Sequence, residues 1–574
     1  MRLRDVFKGY TLDQDKVISP EETCQQVKAK LKETGLHIFQ RTERIDQGRL
    51  GIPVYFSFYG EEGRRITGKR TQMGKGATAA QAEASALMEL VERYSYFSFK
   101  QHLRHFVIST YNQISHPIPL ELIVRSVHDE ENLERAKVAF ENIPLRWVRA
   151  YNLTRDEEMW IPFDWFVAIN EFNGTSAGNE LEEAIIQGLC EVVERHVCAV
   201  IAREKRSTPA IDPETIKDKV AKELLQKYFQ AGVVLYLKDF SLDMGLPTVG
   251  ILAYDPKTYP QSEIVFTAGT QTNPTKALIR ALTETAQLAG DFLISPGYVP
   301  SGLPKPKHLE EVDYVIKTQA KTSILELPDI SDQNMRIEIE RAVAALKKRK
   351  YEVLVLDLTH EILKIPVVYV IVPGTYFWQR AQGASVPLFL CRVVSELYST
   401  EEFIKILSFL QTIFPEHYAI PFYYGMVYFK QQVFDQAREW FKRALKAEPT
   451  LEDKAIILAY MGCCYKEKGE YKQAIAIFNE SLTCDPEQKE VYNFIGTCYH
   501  QLGKYEEAIE AFQKAIVLDP HSAIDYANIG VSLEKIGKKV EAAFFYQQAL
   551  NLDPSLHFAR KKLEKLEGKE HAIR

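Results

Sequence analysis

Thr175 to His196 reads TSAGNELEEAIIQGLCEVVERH. Small residues at Ser176, Ala177 and Gly178 form a turn that feeds a helix. Along that helix Asn179, Glu183, Gln187, Glu191 and Glu194 are spaced by four, four, four and three. At about 100° per residue these five fall within an arc of roughly 120°. One helical face is therefore polar and acidic. The other carries Leu181, Ile185, Ile186, Leu189, Val192 and Val193 and packs into a core.

The pattern occurs three times. Ser85-Ala-Leu-Met-Glu89-Leu-Val-Glu92-Arg93 matches Gln187-Gly-Leu-Cys-Glu191-Val-Val-Glu194-Arg195, and Arg280-Ala-Leu-Thr-Glu284-Thr-Ala-Gln287 keeps the same frame. Each has a polar residue, Glu four later, then Glu or Gln seven later, and these positions share a helical face. Three such helices bring Glu89, Glu92, Glu191, Glu194 and Glu284 together. Five carboxylates on apolar-backed helices repel unless cations join them. Carboxylate oxygens without Cys or His suit Mg²⁺, which usually arrives with phosphates. The alternative is three amphipathic helices with solvated glutamates; repetition in one frame favours a shared site.

Gly74-Lys-Gly-Ala-Thr78, Ser176-Ala-Gly-Asn179-x-x-x-Glu183-Ala and the three acidic motifs, in this order and at these separations, resemble the YcaO family over roughly residues 1–400. The resemblance implies an ATP- and Mg²⁺-dependent enzyme that activates a backbone amide of a peptide or protein. A nucleophile adds to the amide carbonyl, and the oxygen is phosphorylated and leaves as phosphate. The nucleophile is a neighbouring Cys, Ser or Thr in azoline formation and a sulfur donor in thioamidation. By motif position, Glu89, Glu92, Glu191, Glu194 and Glu284 would hold metal, directly or nearby. Ser176, Asn179, Glu183, Arg195 and Arg280 would contact nucleotide. Lys8, in a Lys8-Gly9 pair of the kind often near the nucleotide in this family, joins them, although the arginine that usually follows is missing. For Arg93 and Arg195 the competing role is an ion pair with a helix glutamate. No catalytic residue is assigned. Azoline-forming members commonly end in a Pro-rich C-terminus; this chain runs into repeats and ends Glu-His-Ala-Ile-Arg574, which shifts the expectation toward thioamidation or another modification. The resemblance is strongest to the branch with C-terminal tetratricopeptide repeats.

Those repeats are legible directly. From about residue 418 strand signals vanish. Gly462, Gly496 and Gly530 stand 34 apart, as do Ala474, Ala508 and Ala542, and Pro486, Pro520 and Pro554. Phe478, Phe512 and Tyr546 keep the interval, and an earlier unit carries Gly425, Ala437 and Phe441. A 34-residue period of this kind is the tetratricopeptide pattern. Small residues let paired helices approach, and the aromatics fill the groove between pairs. Ser555 to Leu566 reads as a capping helix.

The expected architecture is α+β: YcaO-like mixed sheets covered by helices over 1–400, a linker helix over 401–417, an all-α solenoid of four tetratricopeptide repeats over 418–556, and a capping helix and tail over 557–574. Within the first part, Ser19-Pro-Glu-Glu starts a helix that stops at Gly35, and Ile52 to Phe58 reads as a strand. Gly74-Lys75-Gly76 reads as a turn whose N–H groups approach phosphate. Met159 to Val167 reads as β-prone. Strands are expected near 233–238, 247–254 and 264–268, and Asn273-Pro opens the third acidic helix.

A chain of 574 residues holds two to four domains, and its net charge of −6 argues against nucleic acid as a partner. The best apolar run, Ile365 to Val372, is too short to span a bilayer. MRLRDVFKGYTLDQDK has no apolar core of the kind a secretory signal needs. Eight cysteines without a C-x-x-C pair suggest a reduced, cytoplasmic protein. Cys190, His196 and Cys198 flank the acidic helix but face apart, and core cysteines are the better reading than zinc ligands. Expected partners are a peptide or protein substrate, a sulfur-donor or accessory protein, and a protein held by the repeats. A scaffold of another class, sensing ATP while the repeats assemble partners, is the alternative.

Overall fold

The computed structural model describes residues 1–574 except 47, 261, 293–305, 378–382 and 569–574. The chain divides into two compact units, Met1–Val386 and Pro387–Arg574.

The first unit holds three sheets. Strands β1 (Phe39–Arg44), β2 (Val54–Tyr59) and β3 (Thr71–Lys75) form an antiparallel sheet in chain order. Strands β4 (Val107–Ser109), β5 (Leu145–Asn152) and β6 (Glu157–Pro162) belong with β7 (Thr175–Ala177), β13 (Leu354–Asp357) and β14 (Val367–Ile371). Their order is β4-β5-β13-β14-β7, with β6 paired on β5. The third sheet contains β8 (Ala210–Ile211), β9 (Val234–Asp239), β10 (Thr248–Tyr254), β11 (Val265–Thr270) and β12 (Lys321–Thr322), ordered β11-β10-β9-β8-β12.

Three long helices carry the acidic motifs. The first, Ala79–Gln101, packs on β2 and β3 and reaches β7. The second, Leu181–Glu204, packs on β7, β14 and β11. The third, Pro274–Ala289, covers β10 and β11. Their apolar faces make the core. Ile185, Leu189, Val192 and Val193 pack with Ile339, Val343, Val355 and Val368. Leu278, Ala281 and Leu282 pack with Val249, Ile251 and Val265. Burial at about 25 cal/mol per Å² makes these faces the main stabilising element, and it turns the opposite, acidic faces toward one another where the sheets meet.

The helix Pro20–Glu33 carries the expected start, a capping box of Ser19 and Glu22. It ends before Gly35, whose φ of +67° suits glycine. Two local readings are corrected. Met159 to Val167 is not one β-prone run: the chain leaves β6 at Pro162 and turns into the helix Phe163–Asn170. Phe163, Trp165 and Phe166 are fully buried there, so tertiary packing overrides their β preference. Gly74 and Lys75 are not turn residues but the end of β3.

The second unit is helical. After Val386–Leu397 and Thr400–Ile413 come four antiparallel pairs: Ala419–Lys430 with Phe434–Lys446, Leu451–Glu467 with Tyr471–Cys484, Lys489–Gln501 with Tyr505–Leu518, and Ala523–Lys535 with Lys539–Leu552. His557–Leu566 follows. The period has a steric cause. A Cβ on Gly425, Gly462, Gly496 or Gly530 would lie 2.5, 2.5, 2.6 or 2.8 Å from the ring of Phe441, Phe478, Phe512 or Tyr546. Each glycine is thus the hole that its own repeat's ring fills.

All eight cysteines are free. Burial pushes the Cys24, Cys190, Cys198, Cys463 and Cys464 thiols up to about 12 and Cys498 to about 11. No described helix is long and apolar enough to cross a membrane.

Candidate functional site

The three acidic helices are built from one strand-to-helix unit used three times. In each, the N-cap stands eleven residues before the first motif glutamate: Thr78 before Glu89, Glu180 before Glu191, Asn273 before Glu284. The Thr78 side chain accepts from Gln81 N, and that of Asn273 from Thr275 N and Lys276 N. Seven residues before each glutamate is an alanine, Ala82, Ala184 or Ala277. In the first and third units that turn of helix lies on a strand glycine. A Cβ on Gly74 would meet Ala86 N at 2.0 Å, and one on Gly269 would meet Ala277 O and Ala281 N at 2.4 Å. In the second unit Ser176 occupies the strand position and donates to Ala184 O at 2.7 Å. The space comes instead from the helix, where a Cβ on Gly188 would meet Ser176 Oγ at 2.7 Å. Close approach of strand and helix fixes the height of each glutamate along its axis.

The units converge on a cleft of about 810 Å³, the open solvent at its mouth included. Ser85, Gln187 and Arg280, the equivalent residues four before each glutamate, all line it. So do Glu89, Glu92, Lys75, Asn179 and Glu183. The N-terminal segment closes another side with Gln14, Lys16 and Thr23.

The charges pair within each helix, and Arg280 ties the third acidic helix to the second. Arg93 bonds Glu89 at 2.7 Å, Glu92 at 2.9 Å and Thr175 Oγ1 at 2.8 Å. Arg280 Nε bonds Glu194 at 2.9 Å, and the Thr270 amide donates to the same oxygen at 2.9 Å. Arg195 lies 4.0 Å from Glu191. Lys75 pairs with Glu284. The Lys75 ammonium is pushed down to about 7, first by burial and then by the Arg280 guanidinium. Burial, then the Glu89 charge, then Glu191, raises the Glu92 carboxyl, against the pull of Arg93. Burial raises Glu191 likewise. Glu194 is held low, because Arg280 and Arg195 outweigh its burial. The cluster therefore holds negative charge that its own arginines only partly offset.

Of the residues singled out in the sequence, Glu89, Glu92, Asn179, Glu183 and Arg280 line the cleft. Glu191, Glu194, Glu284 and Arg195 stand directly behind them in the ion network. Ser176 is buried and spends its hydroxyl on the helix backbone. Lys8 lies elsewhere, between Asp15 at 2.7 Å and Glu338 at 2.6 Å, on a separate hollow. Asn179 Nδ2 donates to Glu183 at 3.2 Å, and the Val17 amide donates to Glu183 at 2.8 Å. That last bond brings Lys16 to the cleft, 3.6 Å from Glu183. Sequence reasoning missed Gln14, Lys16 and Thr23 because no local pattern marks them. It saw Lys75 but placed its value in backbone amides rather than in its side chain.

Donor chemistry fits the expected group. The cleft offers the carboxylates of Glu89, Glu92 and Glu183 beside amide and hydroxyl oxygens, with no Cys or His in its lining, and burial disfavours the charged forms of Glu92 and Glu191, which a bound cation would restore. Among the described residues no three acidic, His or Cys side chains are gathered around one point. Mg²⁺ does not require that, since it is usually held by one or two carboxylates with phosphates and water.

His196 does not reach this cleft. Its Nδ1 accepts from the Tyr376 amide at 3.0 Å, and Nε2 lies 3.3 Å from the Tyr351 hydroxyl. Burial, then His128, pushes His196 down to about 4. The unfolded chain takes up that proton near pH 6.5 and the folded chain only near 4, so stability falls as pH drops through this window. We expect His196→Gln to flatten the pH dependence of the unfolding free energy between 6.5 and 4.5 by about 1 kcal/mol per pH unit. Urea titrations at several pH values check this; parallel curves would remove His196 as the cause.

The pattern of the family described as YcaO cyclodehydratase, ATP- and Mg²⁺-binding, matches residues 73–376. Tetratricopeptide repeat patterns match 418–487, 490–522 and 526–556. An uncharacterized protein of Methanothermobacter thermautotrophicus is 29% identical over 385 residues, 62% of this chain and 94% of that protein. The YcaO of Methanopyrus kandleri, solved with AMPPCP and Mg²⁺, has a TM-score of 0.51 at 22% identity, over 67% of this chain and 98% of its own. A heterocyclase solved with substrate and cofactor has a TM-score of 0.55 at 23% identity, over 66% of this chain; this chain spans 54% of that heterocyclase.

Proposed function

Because this chain belongs to the YcaO family, we propose that its first unit uses ATP and Mg²⁺ to activate a backbone amide of a peptide or protein, for thioamidation or azoline-type cyclodehydration. The observation that carries this reading is the meeting of three acidic helices, in one register, around a cleft whose carboxylates exceed their cations. An amide oxygen is a poor leaving group, and the nucleotide's contribution is to make it a phosphate ester.

In this reading Glu89 and Glu92, backed by Glu191, Glu194 and Glu284, hold the metal. Arg280 and Arg195 meet phosphate oxygens. Asn179 and Glu183 stand as a bonded pair at the far side of the cleft and orient the nucleoside, with Lys16 and Thr23 closing over it. Ser176 acts by fixing the second helix, and Lys8 by tying the N-terminal segment to Glu338. The functional division is 1–400 for chemistry, 401–417 as a connecting helix, 418–556 for recruiting a substrate, sulfur donor or accessory protein, and 557–574 as cap and tail. Eight free thiols, five of them buried, support a reducing, cytoplasmic setting.

We expect Mg·ATP to raise the melting temperature, since a ligand that binds only the folded state stabilises it by mass action. Glu191→Gln should lose the metal-dependent part. Phosphate release should be slow in water alone and faster with the correct peptide, because the phosphoryl acceptor is substrate oxygen. Fast release without peptide marks an ordinary ATPase. A melting shift with no turnover on any candidate peptide marks an ATP-sensing scaffold.

A further inference from the structure

Among the described residues Lys238 is the only buried lysine, with 1% of its surface exposed. It lies on β9, inside the third sheet. Its strand neighbour Leu237, with Ile251 opposite on β10, points into the core that the third acidic helix covers. Side chains alternate along a strand, so Lys238 points to the other face, with its cross-strand partners Ala210 and Gly250. That face is apolar. Tyr236, Leu252 and Phe266 pack there with Val312, Tyr314 and Val315. The Phe240 ring fills the space over Gly250, where a Cβ would lie 2.3 Å from it. Lys238 Nζ has no hydrogen-bond partner among the described residues. A second orphan stands beside it. Thr208 is 5% exposed, and its Oγ1 also lacks a partner. The Asp239 amide donates to Pro209 O at 3.0 Å. The pairing of Ala210 with Lys238 therefore runs on to Thr208 opposite Phe240, on the face of Lys238. Burial alone pushes the Lys238 ammonium down to about 8, so at pH 7 it still carries its charge.

We infer that Lys238 and Thr208 bind a small monovalent anion of the size of chloride on the covered face of the third sheet. Charge and size both follow from the site. An ammonium in apolar surroundings is costly because it has left water without a counter-charge. A water molecule answers its N–H groups and leaves the charge; a monovalent anion answers both. A dianion would exchange one excess positive charge for one excess negative charge and gain little. A phosphate ester or a peptide carboxylate carries a body that residues so deeply buried do not admit. Both orphans can donate, Nζ–H and Oγ1–H, and a halide accepts from both. The anion is a structural ion of the sheet on which the third acidic helix packs, and the inference is independent of amide activation.

The test is urea unfolding of the whole protein at pH 7 and constant ionic strength, with sodium gluconate exchanged stepwise for sodium chloride. We expect the midpoint to rise with chloride and to saturate. Lys238→Met should lose that rise. In gluconate alone it should be at least as stable as the parent, because methionine needs no counter-charge. Thr208→Val should need roughly threefold more chloride for half the effect, through the loss of one hydrogen bond. Lys257→Met, at an exposed position, should respond as the parent does. Sulfate stabilises by exclusion from protein surfaces. The difference between parent and Lys238→Met is therefore the signal, present in chloride and bromide and absent in sulfate. Chlorine NMR reports binding without unfolding: the folded parent should broaden the chloride line, and Lys238→Met should remove the excess. A chloride response shared by Lys238→Met overturns the site, as does a parent that does not distinguish chloride from gluconate and leaves the chloride line unbroadened.

Discussion

Gly74→Val unfolds the first unit or leaves it without its nucleotide response. The Cβ alone would lie 2.0 Å from Ala86 N, 2.5 Å from Ala82 O and 2.6 Å from Ala86 Cα. All three are backbone atoms of the first acidic helix, so no side chain can swing away. Either β3 separates from the helix by more than an ångström or the helix slides along its axis. Overpacking usually costs about 1–3 kcal/mol where side chains yield; here the cost exceeds that range. A slide also moves Glu89, Glu92 and Arg93 together away from Thr175 and Glu191. We therefore expect a fall in stability of more than about 3 kcal/mol, and loss of any Mg·ATP shift in whatever protein survives. Gly269→Val should behave the same way against Ala277 and Ala281. Gly503→Asn, where φ is +73° and no atom lies within 4 Å, is the control. It should cost less than about 1 kcal/mol, since Asn tolerates that conformation. Wild-type melting in Gly74→Val would refute the account of how glutamate height is set.

Arg93→Gln should have a comparable effect by another route. Arg93 holds Glu89 and Glu92 and stands over the Phe172 ring at 4.7 Å. Removing one partner of a buried charge group leaves the other uncompensated, typically at about 3–5 kcal/mol. The sign with pH is distinctive. Glu92 and Glu191 already have raised folded values, and the variant raises them further. Between the ordinary carboxylate range and those values the folded state binds more protons than the unfolded chain. Stability of the variant should therefore decline as pH rises from 5 to 8 and recover on acidification. It should also recover in part with Mg·ATP at pH 8, since a divalent cation replaces the missing charge. Denaturant titrations at pH 5 and 8, with and without Mg·ATP, check both. A loss that is equal at both pH values and blind to Mg·ATP would mean that Arg93 serves packing alone.

The acidic motifs and the repeats were legible in the sequence for the same reason. Each writes a spatial neighbour at a fixed offset: i, i+4 and i+7 on a helix face, or 34 residues between one repeat's glycine and the next. Gly462 and Phe478 lie within one repeat, so their fit shows as a local period. Lys16 and Glu183 are 167 residues apart, and nothing near either records the other. The same holds for Arg280 and Glu194, which meet only because β11 lies under the second acidic helix. Lys75 was misread because a Gly-Lys-Gly string is equally a turn and a strand end pressed on a helix. The Met159 to Val167 run failed for a related reason: aromatics buried on all sides carry no period of two or of 3.6.

The free thiols have a further use. Alkylating reagents attack the thiolate, and burial keeps Cys190 and Cys198 in the first unit, and Cys464 and Cys498 in the second, in the protonated form at neutral pH. Each sulfur becomes reactive only when its surroundings open. The two units thus carry separate internal clocks. Pulsed labelling followed by peptide mass mapping would time the opening of the sheet-bearing unit and of the repeats in one sample. A slowing at Cys190 alone on adding Mg·ATP would report occupancy of the acidic cleft without any assay of turnover.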